Sequence, residues 1–296
     1  MIIGVPKEIK LQEHRVGLTP DSVKTLTEKK HQVLFENNGG FEAGFTNDDY
    51  LKAGAKIIIT PEEIFKKADL IVKVKEPQMN EVKMIREGQI IYTYLHLAAA
   101  KGLTLGLMKT KSICIAYETV TDDSGRLPLL APMSAVAGRM SVQAGAHALE
   151  KNQKGRGLLI GGAPGGEPAN VLILGGGVVG ENAAIIATGM RAKVHIVDKS
   201  EERLKQLVKM FGDKIIPEQS DKVDLNKLIS ECDLLVGGVL IPGAEAPKLV
   251  TKEMIKSMKR GSVIVDVAID QGGCVETSKP TTHANPTYLV NDVVHY

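Results

Sequence analysis

The stretch Asn170–Ala184, NVLILGGGVVGENAA, limits what this chain can fold into more than any other. It opens with an apolar run, Val171 to Leu174, short enough to be a strand buried on both faces. Gly175, Gly177 and Gly180 follow at G-x-G-x-x-G spacing, and a helix-compatible sequence begins at once with Val178 and Val179. In such a turn the first glycine permits the tight bend. The second lets the backbone approach a pyrophosphate, and the third lets helix and strand pack closely. The free N–H groups and positive dipole end of the helix then face the phosphates.

Glycine-rich turns without a ligand are common, so the flanking sequence decides. A second apolar strand, KVHIV at 193–197, ends in Asp198. That lies at the roughly twenty-residue separation expected for the acid that holds the ribose hydroxyls of NAD. A carboxylate there repels a 2′-phosphate, which favours NAD over NADP. Arg203, five residues on, leaves pairing with such a phosphate open.

The chain has 296 residues, long for one core and sufficient for two domains. Its 37 basic and 35 acidic residues are spread without long blocks, so nothing suggests a nucleic-acid partner. The seven histidines fall singly, with no metal-ligand spacing. Cys114, Cys232 and Cys274 are too sparse for a disulfide framework and point to a reducing compartment. The start, MIIGVPKEIK, has no signal-peptide pattern, and no apolar run reaches the ~18 residues that span a bilayer. A cytoplasmic protein with small-molecule partners and no membrane partner is expected.

Strand-like and helix-like segments alternate through the first half: strands at 1–5, 32–36, 56–59, 70–74, 89–92 and 112–116, with helices at 20–29, 47–53 and 61–67 between them. Thr19 and Thr60 each precede a proline as N-caps. A long helix of small residues, Leu130–Glu150, suits a connection between domains, and the glycine-rich segment 151–167 is expected to lie over the nucleotide site. The second half continues with strands 171–174, 193–197, 233–239 and 262–267, and with helices near 200–211, 225–231 and 251–259. This rhythm predicts α/β architecture: two Rossmann-like, doubly wound parallel-sheet domains with a cleft between them, residues 1–130 and 131–296.

Binding sites in such sheets gather beyond the carboxyl ends of the strands. Arg15 follows the first strand, and its planar fork suits a carboxylate. Lys75 follows LIVKV and could hold a carbonyl oxygen or a second charge. Histidine is the side chain suited to proton transfer at neutral pH, so His96, in TYLHLA, would be a proton carrier if it reaches a cleft. Asp270 emerges after VIVDVAI, where it could orient a water beside a nicotinamide. Each has a plainer reading: surface arginine, solvated lysine, core histidine, turn aspartate. Together they suit oxidation of a small amino or hydroxy acid by a nicotinamide that accepts hydride.

MIIGVPKEIK with EHRVGLTP, VKEP, TYLHLA, AYETV, LLAPMSAVAGRM, LGGGVVGENAA, VLIPGAEAPKLV and DVAIDQGG closely resembles the alanine dehydrogenase family, in order from Met1 to Tyr296. The resemblance implies NAD-dependent, reversible oxidative deamination of L-alanine to pyruvate and ammonium. It implies that Arg15 and Lys75 bind the substrate carboxylate and carbonyl region, that His96 is the general acid/base, and that Asp270 assists the attacking water. It assigns Ser134 to the cofactor phosphates, Asp198 to the adenosine ribose, and Val239 and Ile269 to the nicotinamide end. A homo-hexamer is implied as well. Members continue past the position of Tyr296 through helices that complete the first domain, so retained NADH binding with weak or absent turnover is expected of this chain. A non-catalytic nucleotide-binding remnant, the NAD-binding subunit of a proton-translocating transhydrogenase, and a 2-oxo acid such as glyoxylate in place of pyruvate remain open.

Overall fold

The computed structural model describes residues 1–97, 100–239, 246–282 and 284–296. The LIPGAE segment of VLIPGAEAPKLV and the last residue of TYLHLA lie outside the described residues. The chain forms two compact units, Met1–Leu130 and Ala131–Tyr296.

In the first unit, strands β1 (Ile2–Val5), β2 (Gln32–Glu36), β3 (Lys56–Ile58), β4 (Leu70–Val72), β5 (Ile90–Thr93) and β6 (Ile113–Ala116) alternate with helices. The helices are α1 (Pro20–Glu28), α2 (Asn47–Lys52), α3 (Pro61–Lys67), α4 (Met79–Val82) and α5 (Lys101–Thr110). All pairings are parallel, in the order β3-β2-β1-β4-β5-β6. The order reverses at β1/β4, which leaves a crevice at the carboxyl ends of those strands. Strand alternation supplies two cores. Val33 and Phe35 join Ile3 and Val5 on one face, while Leu34 and Ile71 pack with Ile64 and Phe65 on the other.

The second unit opens with α6 (Ala131–Ala148). Then come β7 (Asn170–Leu174), α7 (Val178–Gly189), β8 (Lys193–Asp198), α8 (Glu201–Phe211), β9 (Ile215–Gln219) and α9 (Leu225–Glu231). The unit ends with β10 (Leu234–Gly237), α10 (Lys252–Ser257), β11 (Val263–Asp266), β12 (Tyr288–Val290) and β13 (Val293–His295). The sheet runs β12-β13-β11-β10-β7-β8-β9, parallel except that β12 is antiparallel to β13. Val171 and Ile173 face one core, Leu172 and Leu174 the other. The small residues of α6 let it lie against α7: a Cβ on Gly138 would sit 2.2 Å from the Val179 carbonyl oxygen.

Several expectations are corrected. Thr60 occupies the N-cap position of α3 but makes no side-chain capping bond. The strands expected at 70–74 and 233–239 end at Val72 and run only Leu234–Gly237. The segment 151–167 does not cover the glycine turn. It binds the opposite, amino end of the sheet: Ala169 donates to the Ile160 carbonyl just before β7, Arg156 pairs with Asp233 just before β10, and Gly161 abuts the carbonyl of Met190 beyond α7. Gly155, Gly161 and Gly162 serve close backbone packing there.

Candidate functional site

The glycine turn is built as the spacing predicts. Gly175 has φ +95°, a left-handed conformation open to glycine, and a Cβ on Gly180 would meet the Gly175 carbonyl oxygen at 1.8 Å. A Cβ on Gly177 would meet no atom within 4 Å, so the N-cap of α7 faces open space, and Val178 in the first helical turn is 42% exposed. That space and the amides that begin α7 fit a pyrophosphate.

Asp198, the last residue of β8, accepts the Gly176 amide at 2.7 Å through Oδ2 and the Ser200 amide at 2.8 Å through Oδ1. Its carboxylate is thereby fixed at the edge of the turn. Arg203 reaches the same glycine from α8, its Nε donating to the Gly176 carbonyl at 2.6 Å. Ser220, just past β9, donates its amide to the Asp198 carbonyl at 3.1 Å and so joins this corner, a position that sequence reasoning missed.

Val239 follows β10, beside β7, and the Val239 amide nitrogen would lie 3.2 Å from a Cβ on Gly175. Ile269 and Asp270 belong to a 3-10 turn, Val267–Gln271, directly after β11, and Asp270 is exposed. Buried Asp266 shapes that turn by accepting the amides of Ala268 (3.2 Å), Cys274 (3.3 Å) and Val275 (3.1 Å). Ser134 stands one turn before Gly138 on α6, hence on the same helix face. The glycine turn, Asp198, Val239, Ile269 and Asp270 all lie at the carboxyl edge of the second sheet.

In the first unit, Arg15, Lys75 and His96 follow the carboxyl ends of β1, β4 and β5, three neighbours in the sheet. The Arg15 Nε donates to Glu13 Oε1 at 2.8 Å, and Nη2 lies 2.5 Å from Oε2. Burial alone would raise the Glu13 carboxyl; the Arg15 hydrogen bonds, with added positive charge from Arg15 and Lys75, hold it below the usual carboxylate range. Lys10 pairs with Glu76 at 2.5 Å, whereas the Lys75 ammonium makes no ion pair among the described residues. His96 sits at φ +49°, and its ring stacks on Tyr94 at 6.0 Å and 16°.

Three carboxylates that sequence reasoning did not assign set this arrangement. Glu118 accepts the amides of Leu95 (3.1 Å) and His96 (2.7 Å), which pins the backbone where it turns left-handed. Glu8, after β1, accepts the Val74 amide at 2.6 Å and ties the loops on the two sides of the crevice. Lys73 lies between Glu8 (3.1 Å) and Glu81 (2.9 Å), all three side chains at most 3% exposed. Burial raises the Glu8 carboxyl, against the opposing charge of Lys73 and the Val74 amide. A lysine inside the apolar run LIVKV was the available signal: its ammonium had to be satisfied in the interior. Among the described residues, no group of three or more His, Cys, Asp or Glu could hold a metal ion, and no helix is long and apolar enough to cross a membrane.

Two family models match the chain: one described as "Alanine dehydrogenase/PNT, N-terminal domain" over residues 4–137, the other as "Alanine dehydrogenase/PNT, C-terminal domain" over residues 141–296. The alanine dehydrogenase of Halomonas elongata is 53% identical over 296 residues, which cover 100% of this chain and 80% of that protein. A solved structure of an L-alanine dehydrogenase is similar with a TM-score of 0.93 at 51% identity, covering 100% of this chain and 82% of the other. A transhydrogenase structure from Sinorhizobium meliloti has a TM-score of 0.82 at 25% identity, covering 100% and 85%.

Proposed function

This chain belongs to the alanine dehydrogenase/PNT family, and we infer from that membership how its residues carry out NAD-dependent oxidative deamination of alanine to pyruvate and ammonium. The observation that carries the reading is likeness to alanine dehydrogenases along the entire chain, both units included. A transhydrogenase-type subunit or a non-catalytic remnant is less favoured, since the transhydrogenase resemblance has half the sequence identity.

Bound NAD supplies one thing, a hydride acceptor for the α-carbon of alanine. The glycine turn at Gly175, Gly177 and Gly180, with Val178, Val179 and Ser134, holds the pyrophosphate. Asp198 holds the adenosine ribose, with Arg203 at the same corner, and Val239 and Ile269 line the nicotinamide end.

Arg15 and Lys75 hold the substrate carboxylate. Because Glu13 occupies one edge of the Arg15 guanidinium, Lys75 supplies much of the positive charge that the anion meets. His96 takes the proton lost from the amino group and later returns one, a role suited to an imidazole, which can both accept and donate a proton. Asp270, exposed on its 3-10 turn, orients the water that attacks the imino acid. A cytoplasmic homo-hexamer consuming or making alanine completes the proposal.

The test monitors NADH absorbance with pyruvate plus ammonium, for this chain and for His96→Ala. General acid–base catalysis is worth about 10²–10⁴-fold, so the variant should lose about a thousandfold in turnover while still binding NADH. Equal, measurable turnover in both proteins removes His96 from the chemistry, and none in either, with NADH still bound, favours the non-catalytic remnant.

A further inference from the structure

The corner of the glycine turn holds a second acid that ribose binding does not use. Glu181 sits in the first turn of α7, and its Oε2 lies 2.5 Å from Arg203 Nη2. The same guanidinium donates from Nε to the Gly176 carbonyl at 2.6 Å and from Nη1 to Gln206 Oε1 at 3.2 Å. Asp198 holds the amide of that glycine. One residue's N–H and C=O therefore carry both the aspartate and the arginine. A Cβ on Gly176 would stand 3.2 Å from Asp198 Oδ2 and 3.6 Å from Arg203 Cγ. Arg203 is thus within reach of whatever Asp198 faces, yet its Nη2 edge is spent on Glu181, both side chains being only 26% exposed.

We propose that Glu181 determines cofactor specificity by neutralising Arg203, so that a nucleoside 2′-phosphate finds no available guanidinium at this corner. This rests on the reading that Asp198 faces the adenosine ribose. A phosphate monoester carries close to two negative charges at neutral pH and is best held by a guanidinium presenting two donors. Here it meets two carboxylates and one arginine already paired. Asp198 repels the extra phosphate, and Glu181 disarms the group that would accept it. The Nε bond to Gly176 would keep the guanidinium at the turn once Glu181 lost its charge, with the Nη2 edge turned free. Lys199, exposed beside Asp198, is the neighbouring cation that must be separated from Arg203 in any test.

Binding of NADH and NADPH, read by the fluorescence of the reduced nicotinamide, is to be measured for the full chain and for Asp198→Ser, Asp198→Ser/Glu181→Gln and Asp198→Ser/Glu181→Gln/Arg203→Ala. Asp198→Ser should weaken NADH about tenfold and admit NADPH feebly. Adding Glu181→Gln should tighten NADPH by a further factor of about ten, and Arg203→Ala should abolish that gain. The proposal is overturned if Glu181→Gln adds nothing for NADPH, or if its gain survives Arg203→Ala and so belongs to Lys199 or to net charge. The underlying reading fails separately: unchanged NADH affinity in Asp198→Ser would remove Asp198 from the ribose, and the proposal with it.

Discussion

The parallel strands of the two units run in one order. From β9 the second sheet reads third, second, first, fourth, fifth and sixth of its parallel strands, as the first sheet does from β3, and then adds the antiparallel β12. Both therefore open a crevice where the order reverses, at β1/β4 and at β7/β10. The two units differ in the segment after their first strand. After β7 comes a tight turn of glycines that leads into the open N-terminal end of α7, and the chemistry offered is dipoles and hydrogen bonds for phosphate. After β1 comes Pro6 and a polar loop, and the crevice is furnished with side chains, Glu13 and Arg15 from one side and Lys75 from the other, above the buried pair of Glu8 and Lys73. One topology presents backbone in the second unit and charged side chains in the first, which suits the nucleotide and the small anion proposed for them. Their foundations differ accordingly, close backbone contact in the second unit and a buried ionic cluster in the first.

The largest expected effect tests the ionic foundation. In Lys73→Met the carboxyls of Glu8 and Glu81 lose their shared partner inside the protein, and breaking a buried pair typically costs about 3–5 kcal/mol. Hydrogen exchange read peptide by peptide should show faster exchange in β1, β4 and β5, while β7, β8, β10 and β11 keep their protection and NADH still binds. Equal loss of protection in both sheets would break the distinction between the units. Protection unchanged everywhere would show that Lys73 contributes little to the first.

The complementary change is Gly180→Ala. Its Cβ would meet a backbone oxygen at 1.8 Å, so α7 must move away from β7. Overpacking of this kind costs about 1–3 kcal/mol, and here the turn that presents the amides is itself displaced. NADH affinity should fall about tenfold or more with the exchange of β1 and β4 unaltered. Normal NADH binding in this variant would mean that the turn can shift without cost, and close backbone contact would then not be the foundation of the second unit's site.

The same contrast explains what could be read from residues alone. The glycine turn, β7, β8 and Asp198 are local: spacing within one stretch encodes both the geometry and its purpose. Arg15, Lys75 and His96 are legible as strand-end residues, yet their grouping depends on β1, β4 and β5 being neighbours, a matter of topology. Glu8 acts on an amide 66 residues away and Glu118 on one 22 residues away, and no short pattern reports such partners. β9 is hidden by Pro217, which is tolerated because the strand lies at the edge of the sheet. The hairpin β12–β13 had a signal in Asn291-Asp292, both at positive φ (+51° and +61°), the two-residue turn that joins antiparallel strands. α5 contains Gly102 and Gly106 and is held by Leu103 and Leu107 packing one turn apart, a tertiary contribution that overrides weak propensity.

The smallest effect is one of pH, and the two units should respond with opposite sign. His295, 1% exposed, meets Thr277 Oγ1 at 2.7 Å through Nε2 and the Val293 carbonyl at 3.0 Å through Nδ1. A proton on Nδ1 and none on Nε2 satisfies both partners, so the neutral ring fits this site. Burial pushes its pKa below the ordinary 6.5, against the Val293 bond and the charge of Asp266. Below 6.5 the unfolded state then binds the proton more readily, and the second unit loses up to about 1.4 kcal/mol per pH unit until the folded pKa is passed. The Glu8 carboxyl, raised from its ordinary 4.5, runs the other way: protonation is favoured in the folded first unit, so its contribution rises as pH falls through the raised pKa toward 4.5. Exchange of the β11 and β13 amides, corrected for intrinsic rates, should therefore accelerate between pH 7 and about 5.5 relative to that of β1 and β4, and His295→Asn should flatten the slope. Parallel slopes in the two units, or a slope that persists in His295→Asn, would assign the pH response to surface charge shared by both.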